Sequence, residues 1–148
     1  MSISSADPFE LSRFVEAQRS SYASALNELK AGEKRSHWMW FIFPQVAGLG
    51  SSSMAVRFAI QSRAEAVAYL EHPVLGTRLR DCVDALLKVE GRSAKQIMGD
   101  PDFMKLQSSM TLFATVLPSE HRFERLLAKY YHSQLDQKTL AILSADER

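Results

Sequence analysis

The segment from Leu106 to Pro118 contains no charged residue, although charged residues make up 24% of the chain. From residue 103 to residue 117, large apolar side chains recur every three or four positions, which is the spacing of one face of an α-helix. These side chains are Phe103, Leu106, Met110, Phe113 and Leu117. A helix without charges on any side must be covered on all sides. The segment therefore predicts a central buried helix at about residues 101–117, which the rest of the chain has to surround.

Most of the remaining chain shows the same helical spacing. One helix of about 36 Å is predicted to begin at Asp7-Pro8 and to end at Gly32. Glu10 is predicted to complete a capping box at its start. One face of this helix carries the stripe Leu11, Val15, Gln18, Tyr22, Ala25 and Leu29. Further starts are predicted at Ser62, Ser93 and Asp136. No stretch alternates apolar and polar residues for long enough to require a strand. We expect an all-α fold, a single compact array of about six to eight helices.

Composition and charge narrow the class of protein. At 148 residues with 46% apolar composition, one helical domain over residues 7–148 is expected, after a disordered N-terminus over residues 1–6. The net charge of +1 makes nucleic-acid binding an unfavoured role. No run suits a signal peptide or a membrane span, and a lone cysteine, Cys82, suits a reducing compartment. These features predict a cytoplasmic protein without membrane contact.

The segment Lys34–Gln45 contains both tryptophans, Trp38 and Trp40, within a run of large apolar residues. Two interpretations compete, a short buried strand and a short helix capped by Ser36 and ended by Pro44. We prefer the helix, because a lone strand among helices has no partner.

Core anchoring is the simple explanation for Met39, Phe41 and Ile42. The tryptophans are different, because side chains two residues apart on a helix point in different directions, so one indole is expected to reach the surface. Beside the cations Lys34, Arg35 and His37, an exposed indole could stack on a planar ligand that carries negative charge.

Arg35–Gln45, continued by Gly48-Leu49-Gly50, resembles the signature of an uncharacterised, mainly bacterial family, domain of unknown function 1810. Further segments look like other blocks of that family: Asp7–Phe9 with Phe14–Gln18, Tyr69–Gly76 and Lys105–Phe113. The resemblance spans nearly the whole chain and implies an all-helical single domain. It implies no activity.

Three polar residues outside the aromatic segment also stand on apolar faces. Gln18 lies in the first stripe, and Lys105 and Ser109 share a face of the uncharged helix. Each has a structural explanation, such as a buried hydrogen bond, and a functional one, contact with a ligand. The histidines show no paired ligand spacing, so neither a metal nor a cofactor is predicted, and Cys82 lies on a core stripe that disfavours a nucleophile.

These observations favour a small-molecule site for an anionic, partly planar ligand such as a nucleotide derivative. Its predicted lining is Lys34, Arg35, Trp38, Trp40, Gln45, Gln18, Lys105 and Ser109, with catalysis by His37 as a further hypothesis. The alternative is a protein-interaction module that uses the aromatic residues as an exposed patch. A concave site where the polar groups converge would favour the first, and a flat apolar patch the second.

Overall fold

The computed structural model describes residues 6–146, and this part of the chain forms ten helices. They are α1 (Ser12–Arg19), α2 (Tyr22–Ala31), α3 (Met39–Ile42), α4 (Ser53–Arg57), α5 (Arg63–Glu71), α6 (Leu75–Lys88), α7 (Ala94–Met98), α8 (Asp102–Val116), α9 (Arg122–Tyr131) and α10 (Gln137–Asp146). Extended pairing within residues 6–146 is limited to one parallel bridge, Val46 with Ile60. The all-α class is confirmed. The disorder predicted for residues 1–6 falls, apart from Ala6, outside the described residues.

The number of helices is higher than the predicted six to eight for two reasons. The first predicted helix divides into α1 and α2, and three of the ten helices, α3, α4 and α7, have five residues or fewer. None of the helices in residues 6–146 combines the length and apolar character needed to cross a membrane.

The uncharged segment forms the centre of the fold, as predicted. Helix α8 spans Asp102–Val116 and contacts α5, α7, α9 and α10. Its residues Leu106 and Ser108–Ala114 are buried. Because neighbours surround α8 on several sides, its largely buried stretch from Leu106 to Ala114 needs no charged side chain.

The single long first helix was a wrong prediction. The chain turns at Ser20 and Ser21, so that α1 contacts α3 while α2 contacts α6. Gln18, in the last turn of α1, ties that helix to the aromatic segment through a 2.7 Å hydrogen bond from its Nε2 to the carbonyl of Phe41. The two halves therefore cover different neighbours, and serine is a residue that accepts a turn readily.

The start of the first helix also differs from the prediction. Glu10 has a positive φ of 53°, so it lies outside the helix and forms no capping box. Asp7 still acts as a cap, because its carboxylate accepts 2.8 Å hydrogen bonds from the N–H groups of Leu11 and Ser12. The helix begins later because the guanidinium of Arg13 binds the carbonyls of Phe9 and Glu10.

The aromatic segment combines features of both competing predictions. Only Met39–Ile42 is helical, and Ser36 does not cap it, since the N-cap residue is Trp38. The chain then runs extended to Val46, which bridges to Ile60. With one helical turn and one bridge, the segment buries Trp38, Met39, Phe41, Ile42 and Phe43.

Candidate functional site

One carboxylate, that of Glu28 in α2, organises the first half of the aromatic segment. It accepts hydrogen bonds from the N–H of Arg35 at 2.7 Å, the N–H of Ser36 at 3.0 Å, the Ser36 hydroxyl at 2.5 Å and Nε1 of Trp38 at 2.9 Å. Partial burial raises the pKa of Glu28, but hydrogen bonds to its charged form outweigh that effect and bring the pKa down to about 2. Trp38, which is 1% exposed, is therefore a core residue with its indole nitrogen satisfied.

Two lysines lie over the two tryptophan rings and share one carboxylate. The Lys34 ammonium is 4.9 Å from the ring centroid of Trp38, and the Lys105 ammonium is 5.5 Å from that of Trp40. Asp102 lies between the lysines, with its oxygens 2.9 Å from Nζ of Lys34 and 3.5 Å from Nζ of Lys105. Cations near ring faces gain electrostatic energy, so these five residues form one connected row.

The two ends of this row differ in their access to solvent. At one end the Lys34 side chain is 7% exposed and its ammonium also donates to the carbonyl of Ser36 at 2.6 Å. At the other end the Lys105 side chain is 29% exposed and Trp40 is partly exposed. This confirms the expectation that one of the two indoles reaches the surface. The end formed by Trp40 and Lys105 is therefore more open to a ligand than the end formed by Lys34 and Trp38.

Trp40 borders a hollow of about 290 Å³, called here the Trp40 hollow. It is lined by Trp40, Gln45, Val46, Ala47, Gly48, Gly50, Ala55, Val56, Phe58, Ala59 and Gln61. Lys105 borders a neighbouring depression of about 730 Å³, called here the loop groove. It is lined by Gln45, Leu49, Gly50, Ser51, Ser52, Ala55, Pro101, Met104, Lys105, Gln107, Ser108, Leu135, Asp136, Gln137 and Lys138. The two cavities share Gln45, Gly50 and Ala55, so they adjoin.

Local structure fixes the wall between the cavities. The N–H of Ile60 donates to the carbonyl of Gln45, and the N–H of Ala47 donates to the carbonyl of Ile60, both at 2.8 Å. These bonds hold Gln45 in an extended stretch beside both cavities. Gly50 approaches α4 so closely that a Cβ atom there would lie 2.7 Å from the Cβ of Ala55. Only glycine fits this position without a shift of the backbone.

The structure brings three of the predicted site residues together at these cavities: Trp40, Gln45 and Lys105. Lys34 and Trp38 belong to the same row of charges and rings but lie at its sealed end. The predicted convergence is therefore partial, and the ligand-binding role of each residue stays a prediction.

Four predicted residues lie away from these cavities. Gln18 is 1% exposed, and its amide is used by Phe41, Tyr69 and Arg78. Ser109 is fully buried, and its hydroxyl finds no hydrogen-bond partner among residues 6–146. Arg35 is exposed beside Glu33. His37 is exposed and lines neither cavity, and its catalytic role stays a prediction.

Sequence reasoning missed Glu28 and Asp102, the carboxylates that position the aromatic segment. The three-residue spacing from Asp102 to Lys105 could have indicated their pairing on one helix. Nothing near Glu28 in the sequence indicates its role, because the groups that donate to it lie in residues 35–38, after the turn that ends α2.

Cys82 is fully buried, and burial raises the pKa of its thiol to about 12, which disfavours a thiolate nucleophile. Within residues 6–146 no cluster of three or more His, Cys, Asp and Glu side chains could hold a metal ion.

Comparison with known proteins gives a family and a fold. The model of the family described as "Protein of unknown function (DUF1810)" matches residues 8–143. The crystal structure of the conserved hypothetical protein Rv1873 from Mycobacterium tuberculosis is similar, with 54% sequence identity and a TM-score of 0.92. The likeness covers 93% of this chain and 99% of that one. No protein with a curated description matches significantly.

Proposed function

Because the chain belongs to the DUF1810 family, whose description states no activity, we propose a function from the site itself: binding of a small anionic ligand with a planar part, such as a nucleotide derivative. The planar part occupies the Trp40 hollow and the anionic part lies beside Lys105. The observation that carries this proposal is the contact between a partly exposed indole and a lysine at the boundary of two adjoining cavities.

The volume and lining of the hollow suit a small planar group. Its volume of about 290 Å³ is near the lower end of the range for small-molecule sites, roughly 300–1,000 Å³. The Trp40 ring supplies a stacking surface, and the side-chain amide of Gln45 supplies both donors and an acceptor. Stacking tolerates many heterocycles, so the amide is the group that would discriminate among them.

The electrostatics of Lys105 suit an anion. Its ion-pair partner in the described part of the chain is Asp102, at 3.5 Å, and that carboxylate lies closer to Lys34, at 2.9 Å. One carboxylate shared by two ammonium groups leaves net positive charge at the more exposed lysine. A phosphate or carboxylate of the ligand would neutralise this charge.

A thermal-shift screen of nucleotides and related anionic metabolites tests the proposal. A compound that binds should raise the Tm by about 5–10 °C at a concentration of about 100 times its Kd. Isothermal titration should then show weaker binding in Trp40→Leu, which removes the stacking surface, and in Lys105→Gln, which removes the cation. Lys88→Gln, an exposed lysine elsewhere, is the matched charge control.

The variants separate this proposal from its competitors. His37→Ala should bind normally, because His37 lies outside both cavities. If no compound shifts the Tm, or if the affinity survives both Trp40→Leu and Lys105→Gln, the proposed site is wrong. The alternative of an exposed aromatic patch has less support, because Trp38, Phe41 and Phe43 are all buried.

A further inference from the structure

Large apolar side chains are exposed at few positions in the part of the chain that the structure describes. The exposed ones are Val56 at 59%, Met104 at 55% and Leu135 at 37%. Met104 and Leu135 are distant in sequence but both line the loop groove. In a fold that buries most of its large apolar residues, two exposed ones that line the same groove indicate a surface for another molecule.

The charged groups of the loop groove favour a negatively charged partner. Lys138 is exposed and forms no ion pair with a described residue, and Lys105 is only partly neutralised. The acid of the groove, Asp136, is already engaged, because its Oδ2 accepts from the N–H of Thr139 at 3.1 Å, the Thr139 hydroxyl at 2.5 Å and the Ser108 hydroxyl at 3.2 Å. These neutral donors leave the charge of Asp136 in place, but the lining of the groove holds two lysines against this one aspartate, so its net charge is positive.

We infer that the loop groove docks a segment of a partner protein that carries carboxylates beside large apolar side chains. The apolar side chains cover Met104 and Leu135, and the carboxylates pair with Lys138 and Lys105. Charge complementarity selects an acidic segment. Methionine is a common residue at such surfaces, because its flexible thioether adapts to different side chains.

A protein segment explains the exposed apolar side chains better than a small ligand does. A small-molecule site encloses most of its ligand, whereas Met104 projects from the groove with more than half of its surface exposed. A peptide that lies along the groove would cover this surface and also reach Lys138, in the first turn of α10. Of the residues used here, Lys105 also belongs to the proposed ligand site, whereas Met104 and Lys138, which the variants below change, lie outside the Trp40 hollow.

A display library of random 12-residue peptides, selected against the wild-type chain, tests this inference. Recovered peptides should combine Asp or Glu with large apolar residues. Isothermal titration of a synthetic recovered peptide should give a Kd about tenfold weaker or more for Met104→Ser and for Lys138→Glu, and higher salt should weaken binding further. Lys88→Glu, at an exposed lysine that does not line the groove, should leave the Kd unchanged, and an unchanged Tm in each variant shows that folding is intact.

Three results would overturn the inference. In the first, recovered peptides bind Met104→Ser and Lys138→Glu as tightly as wild type, which places them elsewhere on the surface. In the second, the recovered peptides show no acidic enrichment. In the third, sedimentation shows that the wild-type chain is a dimer which Met104→Ser disperses, so that a second copy of the chain occupies the groove.

Discussion

At the level of single residues, the hydrogen bonds of one carboxylate decide which of two neighbouring tryptophans can meet a ligand. Glu28 takes the indole N–H of Trp38 at 2.9 Å and two backbone N–H groups before it. Trp38 is thereby held inside, and Trp40, two residues later, lines the Trp40 hollow. Trp38 therefore belongs to the core, while Trp40 is open to the proposed ligand.

Glu28→Gln is expected to destabilise the protein by about 1–3 kcal/mol at pH 7, since the amide cannot accept at both ends as the carboxylate does. The pKa of Glu28, about 2, lies below its ordinary value of 4.5. A lowered pKa means that the charged group stabilises the fold fully above about pH 5, and that this contribution is lost as the pH falls from 4.5 toward 2. The gap in unfolding free energy between wild type and variant should therefore narrow over this range.

Urea unfolding at pH 7 and pH 3 measures this gap. Glu33→Gln is the matched control, because the side chain of Glu33 is exposed and forms an exposed ion pair with Arg35, at 3.5 Å. It should change the unfolding free energy by less than about 0.5 kcal/mol at pH 7. Equal losses in Glu28→Gln and Glu33→Gln would show that the hydrogen bonds of Glu28 do not stabilise the fold.

The residues of the site were only partly predictable, for reasons that particular side chains make clear. Trp40 and Lys105 could be singled out because a large indole and a lone cation on an apolar helix are unusual in any context. The position of Gln18 on an apolar face was readable, but its partners Phe41, Tyr69 and Arg78 come from three other parts of the chain. Sequence spacing therefore could not separate a structural amide from a ligand contact.

At the level of elements, one guanidinium joins the start of α1 to α4 and α5. Arg13 donates to the Glu65 carboxylate at 2.8 Å and to four backbone carbonyls, those of Phe9, Glu10, Arg57 and Ala59. The side chains of Arg13 and Glu65 are 15% and 2% exposed. Since a buried carboxylate without its cation is costly, these elements depend on one another through Arg13.

Arg13→Met is expected to lower the unfolding free energy by about 3–5 kcal/mol, because it leaves the Glu65 charge buried and unpaired. Adding Glu65→Gln to this variant removes that charge and should recover part of the loss, which a double-mutant cycle in urea would measure. Arg19→Met, which breaks an exposed pair with Glu16, should cost less than about 1 kcal/mol. A small loss in Arg13→Met with no coupling to Glu65 would contradict this role.

The first residue of a helix could be predicted where a neighbouring side chain caps it. It could not be predicted where groups distant in the sequence determine the start. Ser62 and Ser93 cap α5 and α7 through N–H groups three residues ahead, as their positions predicted. The later start of α1 depends on Arg13, whose other partners come from more than forty residues away. The break between α1 and α2 likewise reflects two different neighbours, α3 and α6, which no local pattern reveals.

At the level of the whole molecule, the buried apolar residues form one cluster that includes side chains from every described helix except α4. The central uncharged helix made this arrangement predictable, because such a helix requires neighbours on every side. Cys82, on α6, lies inside the cluster and is fully buried. The reactivity of a thiol at this position therefore measures how often the whole core unfolds.

Cys82 is expected to react with a thiol reagent only when the molecule unfolds. Burial raises the pKa of its thiol to about 12, so at pH 8 the native side chain is both covered and protonated, and the thiolate is the reactive form. Ser24→Cys adds an exposed thiol on α2 as an internal control. In that variant mass spectrometry should resolve one rapid labelling event and a second that is slower by about a thousandfold or more, as expected if Cys82 reacts only after global unfolding.

The rate of the slow labelling event should rise with urea in step with the unfolded fraction. A slow rate that does not respond to urea would instead mean that Cys82 becomes exposed through a local opening around α6, and that the cluster does not unfold as one unit.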